Sequence, residues 1–173
     1  GLAKASGARR PAVGGGAGRT SMGDGDAGYP TFTHVTLTEG PWAGWTVYEG
    51  EPFEDHAGPF HYRMDESGAP VCAMRTEAKH MNGGGFMHGG ALMTFADYAI
   101  FIFAREHLTD SSSVTATLNA DFVGAVPPGA LLECRGEVVK GGRSLVFLRG
   151  LMTVEGQTVF SFSAVIKKTG KRT

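Results

Sequence analysis

The sequence predicts an α+β domain in which an antiparallel sheet wraps one long central helix. Three observations support this prediction. A mostly apolar run of helical length follows a glycine-rich stretch, strand-like segments precede it, and four segments rich in Val, Phe, Leu and Thr come after it. A helix that is apolar on nearly all sides has to be buried, so we expect the strands to surround it.

The helix is predicted to begin near Gly89 and to continue through ALMTFADYAIFIFAREHL. Arg105 and His107 fall in its last turn, where positive charge interacts favourably with the helix dipole. Before the helix, the pattern predicts a short strand or turn at 44–50 and a hairpin at 59–77 with its turn at 66–68. After it, four strands joined by tight turns should form a meander, at 113–126, 130–140, 143–154 and 157–168.

The bulk composition indicates a single domain that recognises its ligand locally. The chain has 173 residues, 42% of them hydrophobic and 19% charged, and a formal net charge of −1, which does not suggest nucleic-acid binding. The longest apolar run is too short to cross a bilayer. Cys72 and Cys134 lie far apart without a CxxC motif, which favours free thiols and a cytoplasmic location. We expect residues 31–173 to form the domain, after a disordered Gly/Ala-rich leader at 1–30.

Asp97 is the only acid in the apolar run of the predicted helix. Burying it ionised and unpaired would be costly, so it either faces solvent or belongs to a site. Gly89 and Gly90, at the predicted helix start, would offer unobstructed backbone N–H groups at the positive end of the helix dipole. Such a helix start can stabilise a developing oxyanion.

The spacing of these groups constrains any site that uses both. Eight positions separate Gly89 from Asp97, which at a rise of ~1.5 Å per residue places them about 12 Å apart along one helix axis. One helix therefore cannot bring both to the same carbonyl group. If they act together, Asp97 comes from a second copy of the chain, and a two-fold dimer with two composite sites is the simplest arrangement.

The pattern Asn82-x5-His88-Gly89-Gly90-x6-Asp97 resembles the signature of acyl-CoA thioesterases with the hotdog fold. The resemblance is to the branch of the 4-hydroxybenzoyl-CoA thioesterase superfamily that contains the PaaI-type and THEM-type enzymes. It covers about residues 40–168 and includes the order of the predicted elements.

The resemblance implies a role for each matching residue. The Gly89 N–H would polarise the thioester carbonyl, and Asp97 of the partner subunit would activate water or attack the carbonyl directly. Asn82 would help to hold the water or the thioester. His88 would orient the loop and the thioester end, and Thr115 would position the water.

Simpler interpretations of three of these residues remain open. Asn82 and His88 could be loop residues that satisfy local backbone groups. Thr115 could belong to a polar face of the strand together with Thr117 and Asn119.

Several further residues are candidates for substrate binding. Related folds suggest that Arg143 and Ser144, with Lys140, contact the nucleotide of coenzyme A. The acyl group could meet Phe86, Met87 or Phe95, and Gly90 could contribute at the helix start. No metal or separate cofactor is expected, because the cluster FEDHAGPFH at 53–61 lacks a recognisable ligand spacing and coenzyme A is part of the substrate.

The predicted function is therefore hydrolysis of an acyl-CoA thioester to a free acid and coenzyme A. We expect self-association as a dimer or, by further pairing of dimers, as a tetramer, and the sequence does not decide between the two. Two alternatives are a noncatalytic acyl-CoA-binding protein and a hotdog enoyl-CoA hydratase or dehydratase. The sequence leaves open the acyl group and whether Asp97 acts as general base or nucleophile.

Overall fold

The computed structural model describes residues 33–171, so the predicted leader at 1–30 lies outside the described residues. Two α-helices and eight strands form the fold. In chain order they are β1 (Thr33–Thr36), β2 (Thr46–Glu49), α1 (Pro52–Ala57), β3 (His61–Met64), β4 (Pro70–Arg75), α2 (Gly89–Ala104), β5 (Ser111–Phe122), β6 (Leu131–Gly141), β7 (Leu145–Val154) and β8 (Gln157–Lys171).

The eight strands form one antiparallel sheet in the order β1-β2-β3-β4-β6-β7-β8-β5. This sheet with its single long helix is the hotdog fold, so the predicted fold class is confirmed. The predicted four-strand meander is wrong in one respect. β6, β7 and β8 are consecutive neighbours, but β5 pairs with β8 at the end of the sheet and not with β6. Strand patterns locate strands but carry no information on which distant strand each will pair with.

The long helix α2 is the centre of the core, as its apolar composition predicts. Most of its residues are buried, and they pack with inward side chains of β4, β6, β7 and β8. The accessible residues in the body of the helix lie on one side, at i, i+3, i+4, i+7 and i+11. This accessible stripe consists of Gly90, Met93, Thr94, Asp97 and Phe101.

Two facing glycines of the sheet leave room for buried aromatic rings, one from α2 and one from β8. Gly136 of β6 and Gly150 of β7 are directly opposite each other. A Cβ at Gly136 would lie 2.6 Å from the ring of Phe103, and a Cβ at Gly150 would meet the ring of Phe162. The absence of side chains at these two positions leaves room for both buried rings.

Two elements were not predicted from the sequence. β1 extends the sheet beyond β2, and α1 is a short helix that packs against α2. In the part of the chain that the structure describes, no helix is long and apolar enough to span a membrane.

Candidate functional site

The start of α2 is formed by His88 and the two glycines that follow it. His88 is the N-cap residue, and its Nδ1 accepts a hydrogen bond of 2.9 Å from the N–H of Gly90. Because Nδ1 accepts, the neutral ring carries its proton on Nε2. Within the described residues, the N–H of Gly89 has no hydrogen-bond acceptor. The helix start therefore presents one free backbone donor, that of Gly89.

The segment before the helix is held in place by buried polar groups. The buried His80 accepts at Nδ1 from the N–H of Glu77, and its Nε2–H donates to the carbonyl of Ala57 at 2.7 Å. The carbonyl of His80 in turn accepts from the N–H of His88 at 2.8 Å. These bonds fix the position of the N-cap residue relative to α1 and so fix where the free Gly89 donor points.

Asn82 forms a tight local turn. Its Oδ1 accepts a hydrogen bond of 2.8 Å from the N–H of Gly84, and its backbone N–H donates to the carbonyl of Phe86. Both Asn82 and His88 therefore satisfy local backbone groups, as the simpler interpretation expects. The Nδ2 of Asn82 and the Nε2 of His88 take no part in these bonds, so each keeps a donor for a substrate. Local turn formation and substrate contact are compatible in one side chain.

A cleft of about 360 Å³ opens beside the helix start, and we call it the Asn82 cleft. It brings together four residues predicted for the site, Asn82, Phe86, Met87 and Gly89. Phe122, at the end of β5, also lines it and was not predicted. A Cβ on Gly89 would lie 3.0 Å from the ring of Phe122, so a glycine here keeps the amide accessible beside the ring.

Asp97 is exposed on the accessible stripe of α2. Its Oδ1 accepts a hydrogen bond of 2.6 Å from the hydroxyl of Thr115 on β5. The structure thus joins two predicted residues, and the alternative of a simple polar strand face for Thr115 is wrong.

A β-bulge explains why strand alternation favoured the alternative of a polar strand face for Thr115. The register of β5 with β8 shifts between Thr115 and Thr117, so Ala116 is an extra residue. Thr115 is consequently opposite the buried Ile166 and faces the helix, as Leu118 does. Thr117 faces the outside of the sheet.

Gly89 and Asp97 lie on the same continuous helix, as the sequence predicts. Asp97 and Thr115 are not among the residues that line the Asn82 cleft. One chain therefore holds the donor and the acid in two separate places.

The remaining candidates occupy other positions. Gly90 is on the accessible stripe, but its N–H is already bonded to His88. Arg143 and Ser144 are exposed in the turn between β6 and β7, and neither lines the Asn82 cleft. Phe95 is fully buried against Phe60 and belongs to the core, so the prediction that it lines the acyl site is not supported by its position. Among residues 33–171 no group of three or more His, Cys, Asp or Glu side chains could hold a metal ion.

A second cavity, of about 320 Å³, lies between β2, α1 and α2, and we call it the Glu54 cavity. It is lined by Glu54 of α1 and by Tyr48 and Tyr98. Burial raises the pKa of Glu54 to about 7, and the negative charges of Glu51, Asp97 and Asp55 contribute in the same direction. The sequence pattern relates this acid only to a possible metal site and does not predict the helix α1 that carries it.

Comparison with known proteins identifies the family. A family profile described as "Thioesterase superfamily" matches residues 84–161, which include the helix start, Asp97 and Thr115. A Pseudomonas aeruginosa protein named "Putative esterase PA0474" is 34% identical over 122 residues, which cover 69% of this chain and 90% of that protein. The chain belongs to the thioesterase superfamily.

Solved structures of similar proteins share the fold. The PaaI protein from the phenylacetic acid degradation operon of E. coli has 21% identity and a TM-score of 0.60, over 70% of this chain and 86% of that one. The protein smu.793 from Streptococcus mutans UA159, solved bound to acetyl CoA, has 24% identity and a TM-score of 0.59, over 66% of this chain and 91% of that one.

The N-cap role of His88 predicts that loss of its side-chain acceptor lowers the stability of the protein. His88→Ala removes the side-chain acceptor of the Gly90 N–H and should lower the free energy of unfolding by about 1 kcal/mol. His88→Asn supplies another good N-cap acceptor and should restore most of that loss. Urea denaturation of the three proteins measures both effects. Equal destabilisation by Ala and Asn would contradict the capping role.

The raised pKa of Glu54 predicts that the stability of the protein depends on pH. Its pKa rises from 4.5 in the unfolded chain to about 7 in the folded protein, so the folded state holds the proton more tightly. The stability contributed by the protonated form is therefore present below about pH 4.5 and is lost as the pH rises to about 7. At pH 8 the free energy of unfolding of Glu54→Gln should exceed that of wild type by about 1 kcal/mol. This value is reduced because Glu54 is partly exposed. At about pH 4 the two proteins should be equally stable.

Thermal or urea unfolding at the two pH values tests this expectation. Glu66→Gln, in the exposed turn between β3 and β4, is the matched control, because it removes one acid without a buried environment. If Glu54→Gln and the control respond alike at the higher pH, the burial of Glu54 has no energetic consequence.

Proposed function

We propose that this protein hydrolyses acyl-CoA thioesters at a site that two copies of the chain form together. The Gly89 N–H of one copy binds the thioester oxygen, and Asp97 of the other copy acts on the carbonyl carbon. The observation that carries the proposal is the arrangement on α2. A free amide donor begins the helix, and an exposed acid held by Thr115 lies eight residues further along it.

Two features of the surface support a dimer. The accessible stripe of α2 is mostly apolar around Asp97, with Met93 and Phe101 only partly covered. β5 is the last strand of the sheet among the described residues, and its 12 residues leave a long edge with unpaired backbone groups. A long free edge is unusual unless another chain or segment covers it. A second copy related by a two-fold axis would cover both features and bring each Asp97 towards a neighbouring helix start.

Hydrolysis at such a site follows from these groups. Water attacks the carbonyl carbon while Asp97 accepts a proton from it, and the oxyanion that forms accepts a hydrogen bond from the Gly89 N–H. The carbon–sulfur bond then breaks, and the coenzyme A thiolate takes the proton from Asp97. The Thr115 hydroxyl holds the Asp97 carboxylate in one orientation.

Direct attack by Asp97 is the other route that these groups allow, and it would form an anhydride. A single turnover in ¹⁸O-labelled water distinguishes the two routes. Attack by water always places one labelled oxygen in the product acid. Only the anhydride route, when water opens it at the Asp97 carbonyl, releases an acid without label and leaves the label on the protein.

The substrate class rests on the family and on the chemistry of the cleft. The smu.793 relative is solved with acetyl CoA, and the Asn82 cleft offers the Met87 and Phe122 side chains for an acyl or pantetheine segment. The free donors of Asn82 and His88 are suited to hold the thioester end or the water. Arg143 and Ser144 would contact the phosphates of coenzyme A from their exposed turn.

Substitution of the acid tests the role of Asp97. Asp97→Asn keeps the size of the side chain but removes the base, so kcat for thioester hydrolysis should fall at least about a hundredfold. The measurement is release of free thiol from a panel of short-chain, medium-chain and aryl acyl-CoA esters. Asp110→Asn, an exposed acid beyond the end of α2, is the control and should retain full activity. Wild-type turnover by a folded Asp97→Asn protein would reject the proposal.

Removal of the amide donor tests the role of Gly89. Proline is favoured in the first turn of a helix and has no N–H, and the extended backbone of His88 (φ −65°, ψ 137°) suits a residue before proline. Gly89→Pro should therefore leave the helix in place and lower kcat by about 10² to 10³. Gly89→Ala keeps the N–H and adds a Cβ against Phe122, so it is the matched control and should lose less activity.

Mixing the two inactive variants tests whether the site is shared. A mixed dimer of Asp97→Asn and Gly89→Pro has one site with both groups intact and one site with neither. With random exchange, about half of the dimers are mixed, so about a quarter of wild-type activity should return. No recovery, when mass spectrometry shows mixed dimers, would place both groups in a site within one chain and contradict the shared arrangement.

A further inference from the structure

The Glu54 cavity contains a buried hydroxyl group with no partner. Tyr98 is 2% exposed, and its hydroxyl makes no hydrogen bond within the described part of the chain. It lines the cavity together with Tyr48 and Phe60. A buried hydroxyl without a partner is energetically unfavourable, so a group that binds here and pairs with it would relieve that cost.

The charged groups around the cavity are largely acidic. Asp55 already accepts from the N–H of Gly50, and Glu77 accepts from the backbone within its capping box. Lys79 donates to the carbonyls of His56 and Gly58. Glu54 has no side-chain hydrogen bond among the described residues, and it is only partly exposed. The partly exposed Glu54 carboxyl and the buried Tyr98 hydroxyl are therefore two groups at the cavity that have no hydrogen-bond partner among the described residues.

A primary ammonium group matches this arrangement. It has three donors, so it can donate to the Glu54 carboxylate and to the Tyr98 oxygen at once. The aromatic faces of Tyr48, Phe60 and Tyr98 attract a cation as well. A carboxylate ligand would meet Glu54, Glu49 and Asp55 as like charges and is disfavoured.

We propose that the Glu54 cavity binds a primary ammonium group at the distal end of the acyl chain, with Glu54 and Tyr98 as its partners. This step rests on the proposed thioesterase function. Tyr98 directly follows Asp97 on α2, and the charge of Asp97 acts on Glu54, so the cavity adjoins the acid assigned to the thioester. Its volume of about 320 Å³ accommodates a chain of several carbon atoms.

Binding of a simple amine tests the cavity without any reliance on activity. Titration of the intact protein with n-hexylamine hydrochloride, followed by calorimetry and by NMR, should show saturable binding. Glu54→Gln should weaken it at least about tenfold, because a hydrogen-bonded charge pair is lost. Tyr98→Phe removes only the hydroxyl and should weaken it several-fold. Glu66→Gln is the control, and n-hexanol in place of the amine should bind much more weakly. Absence of saturable amine binding, or binding that both variants retain, overturns the proposal.

Turnover of matched thioesters tests the assignment to the acyl chain. With 6-aminohexanoyl-CoA, hexanoyl-CoA and adipoyl-CoA, the amino ester should have the highest kcat/KM and the adipoyl ester the lowest. Glu54→Gln should raise KM for the amino ester at least about tenfold, whereas the control Glu66→Gln should leave KM for that ester unchanged. Amine binding without this preference would assign the cavity to a free amine and overturn the acyl-chain assignment. If the protein binds the amine but hydrolyses none of the three esters, the proposed thioesterase function fails and the ammonium site remains.

Discussion

The continuous hydrogen-bonded helix between Gly89 and Asp97 is the constraint on which the candidate site depends. The helical rise fixes their separation at about 12 Å, and no side-chain rotation can remove it. The packing of α2 inside the sheet also holds the helix in one position and leaves a single accessible stripe. The donor and the acid are therefore rigid parts of one element, and a shared reaction centre requires a second copy of that element.

The sheet contributes to the site through departures from regular geometry. Gly136 leaves room for the ring of Phe103 and so lets the helix approach the strands, and the bulge at Ala116 turns Thr115 towards Asp97. A regular strand would place the Thr115 side chain on the outer face, where it could not reach the acid. The same sheet that buries the apolar side of α2 thus orients the one acid on its accessible side.

Much of the fold could be predicted because it follows from local patterns. The glycines followed by an apolar run mark the start of α2, and segments rich in β-branched and aromatic residues mark the strands. The place of β5 beside β8 could not be predicted, since pairing between distant strands depends on the whole sheet. For the site, the helix start and Asp97 carry a sequence signal. Phe122 and Glu54 do not, because their importance comes only from the neighbours that the fold gives them.

The bulge at Ala116 has a consequence for comparisons across the family. The stretch of β5 between the Thr115 hydroxyl and Phe122, which lines the cleft, includes the extra residue. A homologue with a regular strand would present an equivalent hydroxyl one position closer to the end of that strand. An ungapped alignment anchored at the strand end would then place Ala116 opposite that hydroxyl residue, and the correspondence of the hydroxyl residue with Thr115 would be hidden. A single-residue gap at this point of the alignment is therefore structurally meaningful.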